Sequence, residues 1–169
     1  MELVDALARA RIGATYNQYA ASELRRERLT AYLRSRANAT VVLVGEAAGY
    51  RGARVSGIPF TSERQLTGAG PAEASATIVH RVLDELGVAD DVLLWNVVPT
   101  HPGTPSSNRR PTRAEIDAAH PFLEELTRGR DVVAVGRIAA SLLDAPHVRH
   151  PSHGGAHAFA AGLRRIFGR

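Results

Sequence analysis

VVLVGEAAGYRGARVSGIPFTSE, residues 41–63, is the stretch whose reading decides the fold. It opens on Val41-Val42-Leu43-Val44, an almost continuous apolar, β-branched run, the pattern of a strand covered on both faces. The run then breaks into a loop with Gly45, Gly49, Gly52 and Gly57, one acid, Glu46, and two arginines, Arg51 and Arg54, and closes on Ile58-Pro59-Phe60. In open α/β sheets ligands sit where a strand's carboxyl end runs into such a loop. Glycine lets backbone approach a ligand closely. The stretch can be read as a plain strand-to-helix connection, but it is about twice the usual length, and long loops of this kind are usually functional or mobile.

Working outward, the flanking chain repeats the theme. Residues 1–37 read as two helices, with Leu3, Leu7, Ile12 and Tyr16 on one apolar stripe and Leu24, Leu29, Tyr32 and Leu33 on another, and with Gly13 or Asn17 at the break. Arg25, Arg26 and Arg28 read as a solvated face. A helix is expected from Pro71 to about Leu86, stopped by Gly87. A second buried strand follows over Asp91–Val98, with Asn96 as its one conspicuous polar residue. A Pro/Ser/Gly loop then leads through Asn108, Arg109 and Arg110 to a capped helix start at Thr112 with Glu115. A third strand at Asp131–Val135, a short helix at 137–143, a fourth strand at His147–His150 and a helix over about Ala156–Phe167 complete the chain. This alternation predicts a three-layer α/β/α sandwich around a mainly parallel sheet of about four strands. Residues 1–169 are expected to form one domain, with 1–37 packed on it. Loops 45–63, 96–111, 136–138 and 150–155 should gather at the strands' carboxyl ends.

The bulk numbers exclude several classes. The chain has no cysteine, hence no disulfide, thiolate nucleophile or cysteine-held cluster. No apolar run approaches a membrane span and the N-terminus lacks a signal-peptide core, so the expected location is cytoplasmic and the expected state a monomer. All 21 basic residues are arginine and the net charge is +4, a modest lean towards phosphate-bearing partners. GEAAGYRG is neither a dinucleotide nor a phosphate-loop fingerprint, and there is no serine elbow. His147, His150, His153 and His157 cluster in sequence, but Pro151 and Gly154-Gly155 break any helix that would align them, so no metal and no cofactor is expected.

The candidate residues read as follows. Glu46, at a strand end, can position or activate a water, or else pair with Arg51 or Arg54 at the surface. Asn96 must satisfy both its oxygen and its amide, from backbone or from the edge of a bound base. Phe60, set by a preceding proline, can stack on a base or simply fill the core.

A strand ending in Gly-Glu-Ala-x-Gly (Gly45 to Gly49), then Pro59-Phe60, then Asn96 closing an apolar strand, then His150-Pro151-Ser152, together resemble the uracil-DNA glycosylase superfamily over about residues 40–155. Asn108-Arg109-Arg110-Pro111-Thr112 is most similar to its thermostable, family-4 type branch. The resemblance implies a glycosylase that flips a uracil or related deaminated base out of single- or double-stranded DNA. It implies Phe60 as the stacking face, Asn96 as the reader of the polar edge, His150 as a neutral donor to the departing base and Glu46 or a backbone carbonyl as the group orienting water. Gly45, Ala47, Gly49 and Tyr50 would line the base, and Asn108, Arg109, Arg110, Ser152 and His153 would meet the DNA backbone. There are departures. The best-known branch has its water-activating aspartate where this chain has Ala47, proline where it has Ala48, and a thymine-excluding tyrosine where it has Gly49. The family-4 cluster cysteines are absent, and His153-Gly154-Gly155 follows His-Pro-Ser where an apolar wedge is common. The alternatives implied are an N-glycosidase on a modified base or free nucleotide, and a nucleic-acid-binding member without catalysis.

Overall fold

Residues 2–168 are described by a computed structural model; Met1 and Arg169, the ends of the expected domain, lie outside them. In chain order the elements are α1 (Glu2–Arg9), α2 (Gln18–Ala21), α3 (Glu23–Ser35), β1 (Val41–Ala47), α4 (Ala53–Ser56), α5 (Glu63–Thr67), α6 (Ala74–Leu86), β2 (Val92–Val98), β3 (Gly103–Thr104), β4 (Ser107–Asn108), α7 (Arg113–Thr127), β5 (Asp131–Val135), α8 (Arg137–Leu142), β6 (His147–Val148) and α9 (Ala156–Phe167). The main sheet runs β2-β1-β5-β6 and every pairing in it is parallel.

Alternation along the strands explains the layers. On β1, Val42 and Val44 point into a cluster with Leu93, Trp95, Leu7, Tyr19, Leu29 and Leu123, whereas Leu43 joins Leu94, Val133, Leu83, Phe159 and Leu163 on the other face. Successive side chains of a strand face opposite ways, so an all-apolar strand needs helices on both sides. Here α1, α3 and α7 cover one face and α6 and α9 the other. The outer strand β2 is not left open. Tyr32 of α3 accepts from the Leu94 N–H at 2.8 Å, Gln18 donates to the Pro99 carbonyl at 2.8 Å, and Tyr16 and His101 exchange backbone bonds at 2.9 and 3.0 Å. Covering an edge removes a template for unwanted pairing.

Several boundaries differ from the sequence expectation. The N-terminal part has three helices rather than two, because Asn17 caps a separate turn, accepting from Tyr19 N at 3.0 Å and Ala20 N at 3.1 Å. Leu24 is exposed rather than part of an apolar stripe. Arg25 and Arg28 are not a solvated face: Arg25 donates to the Val55 carbonyl at 2.9 Å, and Arg28 forks Glu63 at 2.8 and 3.0 Å. β1 runs on to Ala47, so Glu46 and Ala47 belong to the strand, not the loop. The helix expected from Pro71 starts at Ala74 with Glu73 at its cap, and β2 starts at Val92 after a short 3-10 turn over Ala89–Asp91. The 96–111 loop holds the β3–β4 hairpin, and β6 stops at Val148, leaving His150 in a loop.

Glu115 organises the hairpin's far end. Its carboxylate accepts from Arg109 at 2.6 and 2.8 Å, from the Thr112 N–H at 2.8 Å and from the Ala14 N–H at 3.2 Å. The Thr112 hydroxyl in turn accepts from the Glu115 N–H at 3.2 Å, so the expected capping box is formed. The Arg109 fork and these N–H groups hold the Glu115 carboxyl down at about 2. A carboxyl depressed in the folded state contributes stability above its unfolded pKa and loses it as pH falls towards the folded one. Stability is therefore expected to decline on acidification from about pH 4.5 towards 2. Glu115→Gln should flatten that decline and lower stability at neutral pH by about 2 kcal/mol, as read from chemical denaturation across pH; an acid limb identical to the parent's would remove Glu115 from this role.

Candidate base-binding site

The β1–β2 register sets the site. It pairs Val44 with Trp95 and Gly45 with Asn96, placing a residue without a side chain beside the buried amide. The Phe60 ring arrives at the same point from the loop. A Cβ on Gly45 would collide with the ring and stand 2.9 Å from Asn96 Oδ1. Gly45 does not have positive φ, so room rather than backbone freedom calls for glycine here.

Phe60 is held by a compact turn. Gly57 ends α4 in the left-handed region with φ 84. The Ser56 hydroxyl donates to the Thr61 carbonyl at 2.6 Å and accepts from the Ile58 N–H at 3.1 Å, and the Tyr19 hydroxyl donates to the Gly57 carbonyl at 3.1 Å. Phe60 itself has φ 51, a conformation that costs a non-glycine residue roughly 1–2 kcal/mol and persists where surroundings over-determine it.

His150 lies across the sheet, after β6. Its Nδ1 accepts the Ser152 backbone N–H at 3.2 Å and stands 2.7 Å from the Ser152 hydroxyl. A backbone amide only donates, so that ring nitrogen is bare and the neutral ring carries its proton on Nε2. Burial, helped by neighbouring His153, pushes the His150 pKa below 6.5 and favours the neutral form. Gly136, with φ 86, makes room: a Cβ there would meet the His150 Cβ at 3.2 Å. His153 also has positive φ, at 51, and its Nδ1 is 3.0 Å from the same serine hydroxyl.

Glu46, Phe60, Asn96 and His150 line one cavity of about 1050 Å³. Glu46 is half-buried, and burial raises its pKa; the charge acting against that rise is Arg110. The surface pairing with Arg51 or Arg54 is not what forms. Arg51 stacks over Tyr50 at 5.4 Å and Arg54 over Tyr16 at 4.9 Å. Ala47, Gly49, Tyr50, Asn108, Arg109 and Arg110 also line the cavity, as do Ser152 and His153. Two of these have structural tasks. Asn108 accepts from the Tyr50 N–H at 2.9 Å, and Arg109 is engaged by Glu115, whereas Arg110 forms no ion pair among the described residues. Ala48 N donates to the Val98 carbonyl at 3.2 Å and is likewise committed to the fold. Among the described residues no three His, Asp or Glu side chains are grouped to hold a metal ion, and no helix is long and apolar enough to cross a membrane.

A family model of the Uracil DNA glycosylase superfamily matches residues 34–165. The chain belongs to the uracil DNA glycosylase superfamily. The solved structure of wild-type SMUG2 from Pedobacter heparinus shares its fold with a TM-score of 0.72, covering 98% of this chain and 97% of that one at 15% identity. No curated protein matches the sequence. For a uracil DNA glycosylase fold the meeting of Gly45, Phe60 and Asn96 was legible in the motifs. Two neighbours were not. Buried His101 places its ring nitrogens 2.7 Å from the Ala48 carbonyl and 2.8 Å from the Thr104 carbonyl, tying the glycine loop to the hairpin. Glu73 enters the cavity wall from the start of α6, and no local pattern marks either residue.

Gly45→Ala is expected to destabilise by about 1–3 kcal/mol through overpacking against the Phe60 ring, as read from the urea midpoint. An unchanged midpoint would show that the ring can yield.

Proposed function

We propose that the protein is a DNA glycosylase that hydrolyses the N-glycosidic bond of uracil, or a related deaminated base, flipped into the cavity. The observation that carries this is His150. Its Nδ1 is occupied by the Ser152 N–H, so its Nε2–H is the donor left for a ligand in a cavity that also holds Phe60 and Asn96. The flipped base stacks on Phe60, and Asn96 bonds its polar edge. As the bond to the sugar breaks, electrons pass to the base and a positive charge grows on the sugar. The Nε2–H of His150 donates to the base oxygen that becomes negative. A preorganised donor aimed at developing charge is worth about 10²–10³ in rate. Glu46, whose raised pKa brings it nearer the working pH, orients a water and takes its proton. The water's hydroxyl ends on the sugar, leaving an abasic site; the base leaves as an anion held by the Nε2–H of His150, and the proton taken by Glu46 returns to it through solvent, which restores both residues. This places the protein in base-excision repair, with Arg110 available to a phosphate.

The direct test offers oligonucleotides bearing uracil, hypoxanthine, xanthine or mismatched thymine, single- and double-stranded, and scores abasic sites. Uracil release with little release of thymine is expected, and release of none of the four would overturn the reading. His150→Ala should slow single-turnover release about 10²–10³-fold while leaving affinity for a non-hydrolysable uracil oligonucleotide nearly unchanged. Equal losses in both would make His150 a binding group only. Because the His150 pKa is depressed, the neutral donor persists as pH falls to 6.5 and is lost only below it. Arg110→Ala should reduce the log–log salt slope of binding by about 0.7–0.9; an unaltered slope would exclude that phosphate contact.

A further inference from the structure

The turn that carries Phe60 is held in part from outside its own loop. His80 projects from α6, whose Val79, Val82, Leu83 and Leu86 are packed into the same core cluster as Phe60. Its Nε2 lies 3.0 Å from the hydroxyl of buried Thr61. That hydroxyl has one proton, and the Pro59 carbonyl, which can only accept, takes it at 3.1 Å. The hydroxyl therefore accepts from His80, and Nε2 carries the ring's hydrogen. Burial holds the His80 pKa below 6.5; a hydrogen bond to the Phe60 backbone and the charge of Asp84 act against that, and Arg36 acts with it. A bond that favours the protonated ring is one that the ring donates, so the Phe60 carbonyl is its acceptor. A neutral ring has a single N–H, and Thr61 and Phe60 share it.

The contact matters because this turn is strained. Phe60 holds φ 51, a conformation that a non-glycine residue keeps only where neighbours over-determine it. The other side-chain bonds on the loop either stop short of Phe60 and Thr61 or come from the loop itself. Tyr19 reaches the Gly57 carbonyl, Arg25 the Val55 carbonyl, and Ser56, a loop residue, the Thr61 carbonyl. Among the described residues, His80 is the side chain of another element that hydrogen-bonds residues 60 and 61. It ties them to a helix of 13 residues fixed on the sheet, and such elements hold a site more precisely than loops do. A backbone relaxed to negative φ at Phe60 would swing the ring out of its seat over Gly45. His80 itself does not line the cavity, so any influence on a ligand passes through the ring it holds.

On the reading that Phe60 is the stacking face of a base cavity, we propose that His80 is a positioning residue, whose N–H, shared between Thr61 and Phe60, holds the strained turn so that the Phe60 ring keeps the plane on which a flipped base stacks. A net hydrogen bond is worth roughly 2–10-fold in an equilibrium constant, which sets the size of the effect.

The experiment compares the parent with His80→Ala, with His80→Leu, which fills the space without a donor, and with His80→Gln, which restores an N–H near the place of Nε2. Each is made in the parent and in a Phe60→Leu background. Affinity is measured for single-stranded oligonucleotides with one central uracil or cytosine on a sugar whose 2′-fluorine blocks hydrolysis. The ratio of the two is read where circular dichroism shows every variant folded, alongside single-turnover release of uracil from the ordinary nucleotide. His80→Ala and His80→Leu should lower the uracil preference roughly 2–10-fold, and His80→Gln should keep most of it. In the Phe60→Leu background the same changes should lower neither preference nor rate further, because sites that act through one group are not additive. A merely structural role would lower the urea midpoint and leave the ratio unmoved. The leucine variant keeps the test readable where the alanine variant does not fold. A parent that prefers uracil, with the ratio unchanged in the leucine variant or with equal losses in both backgrounds, overturns the role of His80 and leaves the base-pocket reading standing. A glutamine variant that loses as much as the leucine variant, or a Phe60→Leu change without effect on preference, overturns it as well. A parent that neither excises uracil nor binds it better than cytosine overturns the base-pocket reading, and this inference with it.

Discussion

The close approach at Gly45 is the constraint on which the rest of the site depends. The parallel register of β1 on β2 sets Gly45 beside Asn96, and the missing side chain lets the Phe60 ring come down on the strand. A buried amide and an aromatic ring thus meet at a single glycine. Neither would be held there by its own segment alone. Asn96 is placed by a fully buried strand, and Phe60 by a loop that is strained at φ 51 and braced by Ser56, Tyr19 and Arg25. Strain of this kind survives only where neighbours over-determine it.

The loops around this point are cross-tied more than they are long. Asn108 holds Tyr50, His101 joins Ala48 to Thr104, and Glu115 gathers Arg109, Thr112 and Ala14. These contacts join the end of β1 to the hairpin and the hairpin to the N-terminal segment. They brace the rim of the cavity from several segments at once. They also divide labour within Asn108-Arg109-Arg110. The first two residues stabilise the rim, and the third keeps its charge for the cavity, where it acts on Glu46.

The alanine at position 47 shapes the chemical reading. With no aspartate there, the carboxylates in reach of the cavity are Glu46 and Glu73, both shifted upwards by burial but differently braced. Glu46 lies on β1 one residue past Gly45 and feels Arg110. Glu73 is anchored by Ser75 and pressed against Gly49 and Gly52. Two similar groups thus stand in different surroundings, which is how one site gives the same side-chain type different properties.

Much of the fold was open to the sequence. The apolar runs at 41–44, 92–98 and 131–135 form the central strands, buried over most of their length because helices cover both faces of the sheet, and Thr112 with Glu115 forms the capping box its spacing announces. The order of Gly45, Phe60, Asn96 and His150 along the chain pointed to the superfamily, since each breaks an apolar run or adjoins a proline, both visible in local pattern. What local pattern cannot carry is contact between distant segments. That Arg28 forks Glu63, that Arg109 is bound to Glu115, that Ser152 sets the tautomer of His150, and that Glu73 fills the space before Gly49 and Gly52 were decided only by tertiary structure. Hydrophobic periodicity is a property of neighbours along the chain. The partner of a charge or the occupant of a glycine's empty side is chosen by whatever the packed layers bring near.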